Sequence, residues 1–404
     1  MIFKIKLHWQ ILIALIAAVA FGYYIPGWVP YITWMGVVFL RALNMVVVPL
    51  ILSSIISGVS SIGGGSNLGR LGAKTILFYI GTSLIAILTG LFFVNLFQPG
   101  AGANLGNAAT VTTPDVNNSA SEILIRVIPE NVIDAMAKGQ ILPVIFFAIL
   151  FGFFITQIQI EKQQLLTRFF DSVFEVMMKI TTFIIQFTPL GVFAIVAKEV
   201  AKNAGSLGNI AGSLGIYMLV VLIGLLVHGG IILPLLVKFM GKANPYKHFR
   251  NMATPLLTAF STSSSNAALP LSMVAVEEKD GVSGKITSFT LPLGATINMN
   301  GTALYECVAV IFIAQAYGIE LTMGQQAIVV LTALLAAIGS AGIPMAGLVM
   351  MTIVLTAVNL PLEGVGLILA VDRILDMSRT TVNVWGDTCA AVIIAKSEGE
   401  TLNV

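Results

Sequence analysis

Long apolar stretches recur from the start of the chain almost to its last residues, and they limit what the chain can fold into. A helix needs about 20 apolar residues to cross the roughly 30 Å of hydrocarbon in a bilayer. These stretches predict an all-α polytopic membrane protein with no separate soluble domain. Before a more broken final third, they lie near 8–25, 33–60, 74–97, 121–160, 170–200 and 209–240.

The composition agrees with this prediction and argues against other classes. Of the 404 residues, 57% are hydrophobic and 10% are charged, which is typical of a chain in lipid. The net charge of +2 predicts no basic surface for nucleic acid. Cys307 and Cys389 lie in apolar segments, so we expect no disulfide framework, redox chemistry or covalent cofactor. Lys4 and Lys6 precede the first stretch, which we interpret as an uncleaved span rather than a signal peptide because many spans follow.

Positive residues predict the orientation of the chain. By the positive-inside rule, loops that carry lysine and arginine face the cytoplasm, which places both termini there in an inner (plasma) membrane protein. The segment 99–119 is rich in Asn, Thr and Gly and has no Lys or Arg, so it is predicted to be an external loop. The positive clusters are the N-terminus, Arg70 with Lys74, Lys162 with Arg168, 238–250, Lys279 with Lys285, and Lys396.

Two apolar segments of the final third are interrupted by small and polar residues. The first covers about 246–278 with a polar centre at 261–266, and the second covers about 323–361 with a glycine-rich centre at 339–347. We predict two re-entrant hairpins, the first with its ends in the cytoplasm and the second with its ends outside. Opposed broken helices are typical of a transport site. Two kinked helices that pack through small residues are the alternative.

Five polar side chains recur in the otherwise apolar last span, 363–396. Their spacings of four, three, four and four residues place them within about 80° of arc on one helical face. Charges at bilayer depth are costly, so this face predicts a site or a lined pathway. Ion pairs that only hold helices together are the alternative. The five residues are Asp372, Asp376, Arg379, Asn383 and Asp387.

The preceding span contains a second polar run at 296–306. Gly301 and its polar neighbours are expected to unwind the helix within the membrane, where freed carbonyl groups suit Na⁺. Glu306 is a lone acid in this run and a candidate proton carrier, unless it only forms a local hydrogen bond. The run therefore predicts a cation site, with proton transfer as a further hypothesis.

Two other classes of protein compete with a transporter. We find no HExxH, no P-loop and no nucleophile–base pair, and His8, His228 and His248 are scattered, so an enzyme is not predicted. Polar hairpins also form the filters of ion channels. Saturable uptake of a labelled amino acid would separate a transporter from a channel.

Four motifs, in order, carry a resemblance that covers essentially the whole chain. They are the serine-rich hairpin that ends in Leu269-Pro270, the turn 298–302, the tip 342–344 and the stretch 376–383. The chain resembles the glutamate transporter homologue family, the dicarboxylate/amino acid:cation symporters, which includes archaeal aspartate transporters and animal excitatory amino acid transporters. The resemblance implies cation-coupled symport of acidic amino acids.

The resemblance also implies eight transmembrane helices and two re-entrant hairpins, assembled as a homotrimer. A trimerising scaffold and a mobile, elevator-type transport domain would divide the chain. The scaffold comprises 1–73 (spans 1 and 2) and 121–208 (spans 4 and 5). The transport domain comprises 74–120 (span 3 and the external loop) and 209–404 (span 6, the first hairpin, span 7, the second hairpin and span 8).

Carried over residue by residue, the resemblance implies a substrate site. Arg379 would bind the side-chain carboxylate of aspartate or glutamate, which a guanidinium fork suits well; members that carry neutral amino acids usually lack this arginine. Asp376 would bind the amino group, which favours an amino acid over a plain dicarboxylate. The other implied contacts are Asn383 and Thr380 with the main-chain groups, and Thr302, Ser265, Ile343 and Gly347 around the pocket.

Three sodium sites are implied in the same way. The first is Asp387 with carbonyl groups of Gly294, Asn298 and Asn383. The second is Thr296 with carbonyl groups of Ala337, Ile338 and Ser340. The third would use Tyr79, Thr82, Ser83, Asn298 and Asn300, although sodium-coupled members usually have aspartate where this chain has Asn300.

The chain also departs from the family pattern at charged positions. The arginine usual in the first hairpin is replaced by Ser263, and Met377 shows that it has not moved to the place used by animal members. Arg373, which flanks two of the aspartates, is expected to substitute. Glu306 matches the proton-coupled animal members. Sodium and proton coupling therefore both stay open, and the alternative function is a proton-coupled glutamate or C4-dicarboxylate symporter without sodium dependence.

Overall fold

The structure is a computed structural model that describes residues 7–60, 66–103, 128–202, 207–338 and 346–404. These residues form helices and connecting turns, with no β-strand among them. The helices are α1 (Leu7–Tyr24), α2 (Val29–Ser60), α3 (Ser66–Phe97), α4 (Val132–Ala137), α5 (Ile141–Ile155), α6 (Ile160–Ile185), α7 (Thr188–Lys202), α8 (Leu207–Val227), α9 (Leu233–Phe239), α10 (Pro245–Asn251), α11 (Ala253–Thr262), α12 (Ser265–Ala275), α13 (Gly284–Ile297), α14 (Asn300–Ala316), α15 (Met323–Ile338), α16 (Ala346–Ala357) and α17 (Gly364–Ser397).

Several of these helices are long and apolar enough to cross a bilayer. The described residues contain four such stretches, and the bent pair α6 and α7 would be a fifth. α17 has 34 residues but is not one of these stretches, because its polar face interrupts its apolar surface. The all-helical membrane protein is confirmed, whereas eight spans with two hairpins stay a prediction. The four stretches are Pro26–Ser60, Arg70–Phe97, Ala211–Phe239 and Gly284–Ala316.

Two predicted spans differ from the observed helices. The described part of 121–160 is not one helix, because Gly139 (φ 64°) adopts a conformation that favours glycine and separates α4 from α5. The interval 170–200 contains α6 and α7, which are bent by 52°. Pro189 lies in the first turn of α7, where proline and its restriction of the preceding residue favour a break.

Helix contacts fall into two groups. α1, α2, α5, α6 and α7 form the first group, in which α2 packs on α5, α6 and α7, and α1 packs on α7. In the second group, α3, α8, α15, α16 and α17 pack around α14. Every residue of α14 except Gln315 is buried. The second group therefore encloses one helix completely and brings the polar runs of α14 and α17 together.

Two helix breaks position the polar side chains. The first hairpin breaks between α11 and α12, where Ser263 adopts a left-handed conformation (φ 52°, ψ 38°) and Ser264 caps α12. The second break, between α13 and α14, consists of Asn298 and Met299 (ψ 83° and 51°). Both polar runs interrupt helices as predicted, although Gly301 itself lies within the first turn of α14.

The arms of the predicted second hairpin are α15 and α16, which pack against each other. Its predicted tip, 339–345, lies outside the described residues. Gly347, the last residue of the predicted glycine-rich centre, lies in the first turn of α16 and is buried.

Positive residues that were predicted to be cytoplasmic meet at one end of the molecule. Arg70 and Lys74 of α3 form ion pairs of 2.6 Å with Glu398, just after α17. Lys285 and Glu400 line the cavity beside these pairs. One end therefore carries the starts of α3 and α13 and the end of α17; that it is the cytoplasmic end stays a prediction.

Candidate functional site

The polar face of α17 is buried. Each of its five residues exposes 4% of its surface or less. The break between α13 and α14, the tip of the first hairpin and the start of α16 lie against it. These neighbours divide the face into one group of side chains around Arg379 and another around Asp387.

We call the first group the arginine cluster, which comprises Asp372, Asp376, Arg379 and Tyr305. Arg379 Nε and Nη2 donate to Asp376 Oδ1 at 3.1 and 2.8 Å, and Nη1 donates to Asp372 Oδ1 at 3.3 Å. Tyr305 Oη donates to the same Asp372 oxygen at 2.7 Å. One buried cation is thus shared by two carboxylates, and pairing of this kind is what makes a buried charge tolerable.

The surroundings of the guanidinium are close-packed. Arg379 Cζ lies 4.2 Å from the centroid of the Tyr305 ring, which is a cation–π distance. A Cβ added to Gly347 would lie 2.7 Å from Arg379 Cζ, well inside van der Waals contact. Glycine at this position therefore allows the start of α16, in the second hairpin, to lie directly against the guanidinium.

Asn383 joins the arginine cluster to the helix break. Its Oδ1 accepts hydrogen bonds from the N–H groups of Gly301 at 2.7 Å and Thr302 at 3.4 Å, and its Nδ2 donates to Thr302 Oγ1 at 3.0 Å. A Cβ added to Gly301 would lie 2.5 Å from the carbonyl oxygen of Arg379. The first turn of α14 therefore packs directly on the backbone of α17 and holds Thr302 beside Asn383.

The asparagine cluster comprises Asn298, Asn300, Asp387, Tyr79 and Ser83. Asp387 Oδ1 accepts a hydrogen bond from Asn298 Nδ2 at 2.8 Å, and Ser83 Oγ donates to Asn300 Oδ1 at 2.7 Å. Among the described residues Asp387 forms no ion pair, and Asn298 Oδ1 and Asn300 Nδ2 are buried without a hydrogen-bond partner. A buried carboxylate without a positive partner, beside unpaired polar atoms, suits a small cation.

Glycine again permits the close approach of helices around the asparagine cluster. A Cβ added to Gly294 would lie 2.5 Å from Asp387 Oδ1 and 2.7 Å from Tyr79 Oη. Tyr79 Oη donates to the carbonyl oxygen of Thr290 at 2.9 Å. Thr82 is buried, but its Oγ1 donates within α3, to Phe78 O at 2.9 Å. Gly294, Asp387 and Asn298 of the first predicted cation set therefore lie beside Tyr79 of the third, and both sets stay predictions as ion sites.

The second predicted cation set is only partly described. Thr296 is half-buried, and its Oγ1 donates to Leu293 O within α13 at 3.0 Å. Ala337 and Ile338 are the last residues of α15. Ser340 lies outside the described residues, so this set stays a prediction.

Three of the four remaining substrate residues are buried. Thr302 and Thr380 lie near Arg379 on α14 and α17, and Ser265 begins α12 beside the tip of the first hairpin. Ile343 is outside the part of the chain that the structure describes. That these residues share one substrate pocket stays a prediction.

Glu306 lies one residue after Tyr305 and is completely buried. Within the described ranges neither of its carboxyl oxygens has a hydrogen-bond partner, so the local hydrogen bond considered as the alternative is not observed there. A buried carboxyl group without partners is costly as an anion. The arrangement leaves proton transfer as a hypothesis to be tested.

Sequence reasoning missed Tyr305 as a site residue. It lies three residues after Thr302, on the same side of α14, but an aromatic residue in an apolar run carries no signal of its own. The predicted substitute for the missing hairpin arginine is found close to the site, since Arg373 Nη1 donates to Ser263 Oγ at 2.9 Å.

Comparisons with known proteins identify the family. The family described as the sodium:dicarboxylate symporter family matches residues 7–397. The chain belongs to this family. It is therefore a membrane transporter and not an enzyme, and the sequence-based assignment to this class is confirmed.

Similar proteins carry related names. The chain is 36% identical over 414 residues to a proton/glutamate-aspartate symporter of Escherichia coli, covering 98% of this chain and 93% of that protein. It is 37% identical to a proton/sodium-glutamate symport protein of Geobacillus stearothermophilus, covering 98% and 96%. It is 36% identical to the human excitatory amino acid transporter 3, covering 91% and 79%.

Proposed function

We propose that this protein is a secondary active transporter that moves aspartate or glutamate across the inner (plasma) membrane together with a coupling cation, by alternating access. The observation that carries the proposal is the buried Arg379, shared by Asp376 and Asp372 at a junction of helix breaks. Such a guanidinium can exchange a protein carboxylate for that of a substrate. The names of the similar proteins, which refer to glutamate, aspartate and excitatory amino acids, support the substrate class.

Each group of an acidic amino acid has a proposed partner. The side-chain carboxylate binds the Nη groups of Arg379. Asp376 then turns from Arg379 to the substrate ammonium, so that no buried charge loses its counter-charge. The remaining contacts are Asn383 and Thr380 with the main-chain groups, and Ser265, Thr302, Ile343 and Gly347 around the pocket.

Sodium is the proposed main coupling ion. Asp387 supplies the negative charge, together with oxygen atoms of Gly294, Asn298 and Asn383. A second ion would use the proposed set Thr296, Ala337, Ile338 and Ser340. A third set, Tyr79, Thr82, Ser83 and Asn300, has a neutral amide where a carboxylate would attract the ion, so we propose that it binds sodium weakly.

A proton-coupled glutamate or C4-dicarboxylate symporter without sodium dependence is the second candidate function. It is supported by Glu306, whose buried carboxyl group has no hydrogen-bond partner among the described residues, and by the proton named for two of the similar proteins. In this case Glu306 would carry the proton, and the asparagine cluster would be structural.

The proposed architecture has eight spans and two re-entrant hairpins in a lipid bilayer, with both termini cytoplasmic. Residues 1–73 and 121–208 would form the scaffold of a homotrimer, and 74–120 and 209–404 an elevator-type transport domain. The two groups of packed helices support this division, because α3 joins the second group although it follows α2 directly in the chain.

Uptake by the purified protein in liposomes tests both candidates. Labelled aspartate, glutamate and a C4-dicarboxylate are offered under an inward sodium gradient and an inward proton gradient, each with and without the other. Uptake driven by sodium alone supports the main proposal and makes Glu306 structural. Uptake that requires only protons supports the second candidate, and uptake of none of the three substrates contradicts both.

The Arg379→Ala variant tests the substrate assignment. It is expected to abolish uptake of acidic amino acids, because the side-chain carboxylate of the substrate would lose its partner and Asp372 would lose its paired cation. Arg250→Ala, which removes an exposed arginine at the base of the first hairpin, is the matched control and should transport normally. Normal aspartate transport by Arg379→Ala would refute the assignment.

A further inference from the structure

The tip of the first hairpin is held in an unusual backbone conformation. Ser263 is a non-glycine residue with φ of 52°, and it is buried, with 1% of its surface exposed. Its N–H donates to Ala259 O at 2.8 Å and closes α11. A left-handed serine is costly relative to the ordinary regions, so contacts of the folded protein must hold it there.

The contact that reaches Ser263 comes from α17. Arg373 Nη1 donates to Ser263 Oγ at 2.9 Å across 110 residues of sequence. The same Nη1 lies 3.9 Å from Asp376 Oδ2. Asp376 therefore has Arg379 on its Oδ1 and Arg373 near its Oδ2, and Arg373 links this aspartate to the hairpin tip.

We infer that Arg373 is a positioning residue: its guanidinium holds the tip of the first hairpin against Asp376 and thereby sets the affinity for the amino end of the substrate. Ser265, two residues after Ser263, is buried at the start of α12. Loss of the link would free the tip to move away from α17 and would uncover Ser265. Arg373 does not need to touch the substrate to have this effect.

The position of Arg373 explains why a charged side chain is used. A hydrogen bond to a charged donor is stronger than a neutral one, and the carboxylate of Asp376 keeps the guanidinium directed inward although a third of the side chain remains exposed (36%). The link is therefore strong enough to order the tip, although it remains partly exposed to solvent.

The first experiment measures the tip without any substrate. A Ser265→Cys protein is treated with a membrane-permeable thiol reagent in substrate-free membranes; Cys307 and Cys389 are both buried and give a low background. Adding Arg373→Ala or Ser263→Ala is expected to raise the modification rate about tenfold, the effect of a charged hydrogen bond. Ser261→Ala, whose exposed hydroxyl donates to Leu257 O of its own helix, is the matched control and should leave the rate unchanged.

The second experiment uses transport and therefore rests on the proposed function. Arg373→Ala and Ser263→Ala should each raise the KM for aspartate about tenfold with little change in the maximal rate. The double variant should be no worse than either single variant, because both remove the same contact. Arg373→Lys should recover part of the affinity, whereas a merely structural role would lower the maximal rate and would not be rescued.

The two experiments fail in different ways. If the wild-type protein transports no acidic amino acid, the proposed function fails, but the thiol measurement still tests the tip. If Arg373→Ala and Ser263→Ala leave the modification rate of Ser265→Cys at the wild-type value, or if their effects on KM are independent and additive, the positioning role is overturned.

Discussion

The arginine cluster and the asparagine cluster lie on the same face of α17, but they treat charge in opposite ways. In the arginine cluster Arg379 is paired with two carboxylates, and the guanidinium of Arg373 lies 3.9 Å from Asp376, so two positive charges face two negative ones. The Tyr305 hydroxyl also donates to Asp372. In the asparagine cluster a carboxylate is hydrogen-bonded only to an amide, and neighbouring amide atoms have no partner among the described residues.

This difference indicates how each cluster can bind an ion. A compensated cluster can accept an anion only by exchanging one carboxylate for another, which makes binding selective for groups with the same geometry. An uncompensated cluster attracts a cation directly, because the cation supplies the missing charge. Under the proposed function, the arginine cluster therefore provides substrate selectivity and the asparagine cluster binds the coupling cation, on one helix.

Among the changes that test this comparison, Asp387→Asn is expected to have the largest effect. The change keeps the shape and removes the uncompensated charge, so the sodium concentration for half-maximal uptake should rise about 100-fold or more, equivalent to about 2.7 kcal/mol. Sodium titrations of uptake measure this. Asp134→Asn, at an exposed ion pair with Lys138, is the control. An unchanged sodium dependence would contradict the proposed role of the asparagine cluster.

Gly347→Ala should disturb the arginine cluster alone. The added methyl would lie 2.7 Å from Arg379 Cζ, and a close-packed site cannot absorb it without shifting the guanidinium. We expect the KM for aspartate to rise about tenfold or more, with sodium dependence retained. Gly81→Ala, where a Cβ would meet nothing within 4 Å, should be silent. If the sodium requirement rises instead, the arginine cluster and the asparagine cluster do not act separately.

Tyr305→Phe tests the arginine cluster with a smaller change. It removes the hydrogen bond to Asp372 but keeps the ring beside Arg379, so we expect a loss of about 1 kcal/mol, or about fivefold in the KM for aspartate. Kinetics of uptake measure it, and the exposed Tyr246 (77%) provides the control Tyr246→Phe. An unchanged KM would show that the Tyr305 hydroxyl does not help to stabilise the carboxylate of Asp372.

Glu398→Gln changes a residue outside both clusters, and it is expected to have the smallest effect of these variants. Hydrogen bonds from Lys74 and Arg70 hold the pKa of Glu398 below its usual value of 4.5, so the stabilisation is present above the unfolded pKa and is lost as the pH falls through the folded pKa. Exposed pairs contribute little, so we expect the melting temperature to fall by about 1 °C at pH 7. Thermal unfolding should show no difference at low pH, and neither the KM for aspartate nor the sodium requirement should change.

Much of the site could be predicted from the sequence because charges inside apolar helices are rare enough to be informative. The five residues of α17 and the two described helix breaks were found in this way. The partners across space could not be found, because Tyr305 with Asp372 and Ser263 with Arg373 are separated by 67 and 110 residues. The breaks before α5 and α7 were also missed, although Lys138, Gly139 and Gln140 precede α5 and Gln186 lies just before α7.

Asn383 lies four residues after Arg379 and four before Asp387, and its amide holds the first N–H groups of α14. If the substrate and the cation bind as proposed, the shape of that helix start affects both sites at once. Thermodynamic linkage makes such an effect reciprocal, so the factor by which the cation raises substrate affinity equals the factor by which the substrate raises cation affinity. A weaker hold of Asn383 on the break would lower this factor, so that each ligand would bind more nearly independently of the other.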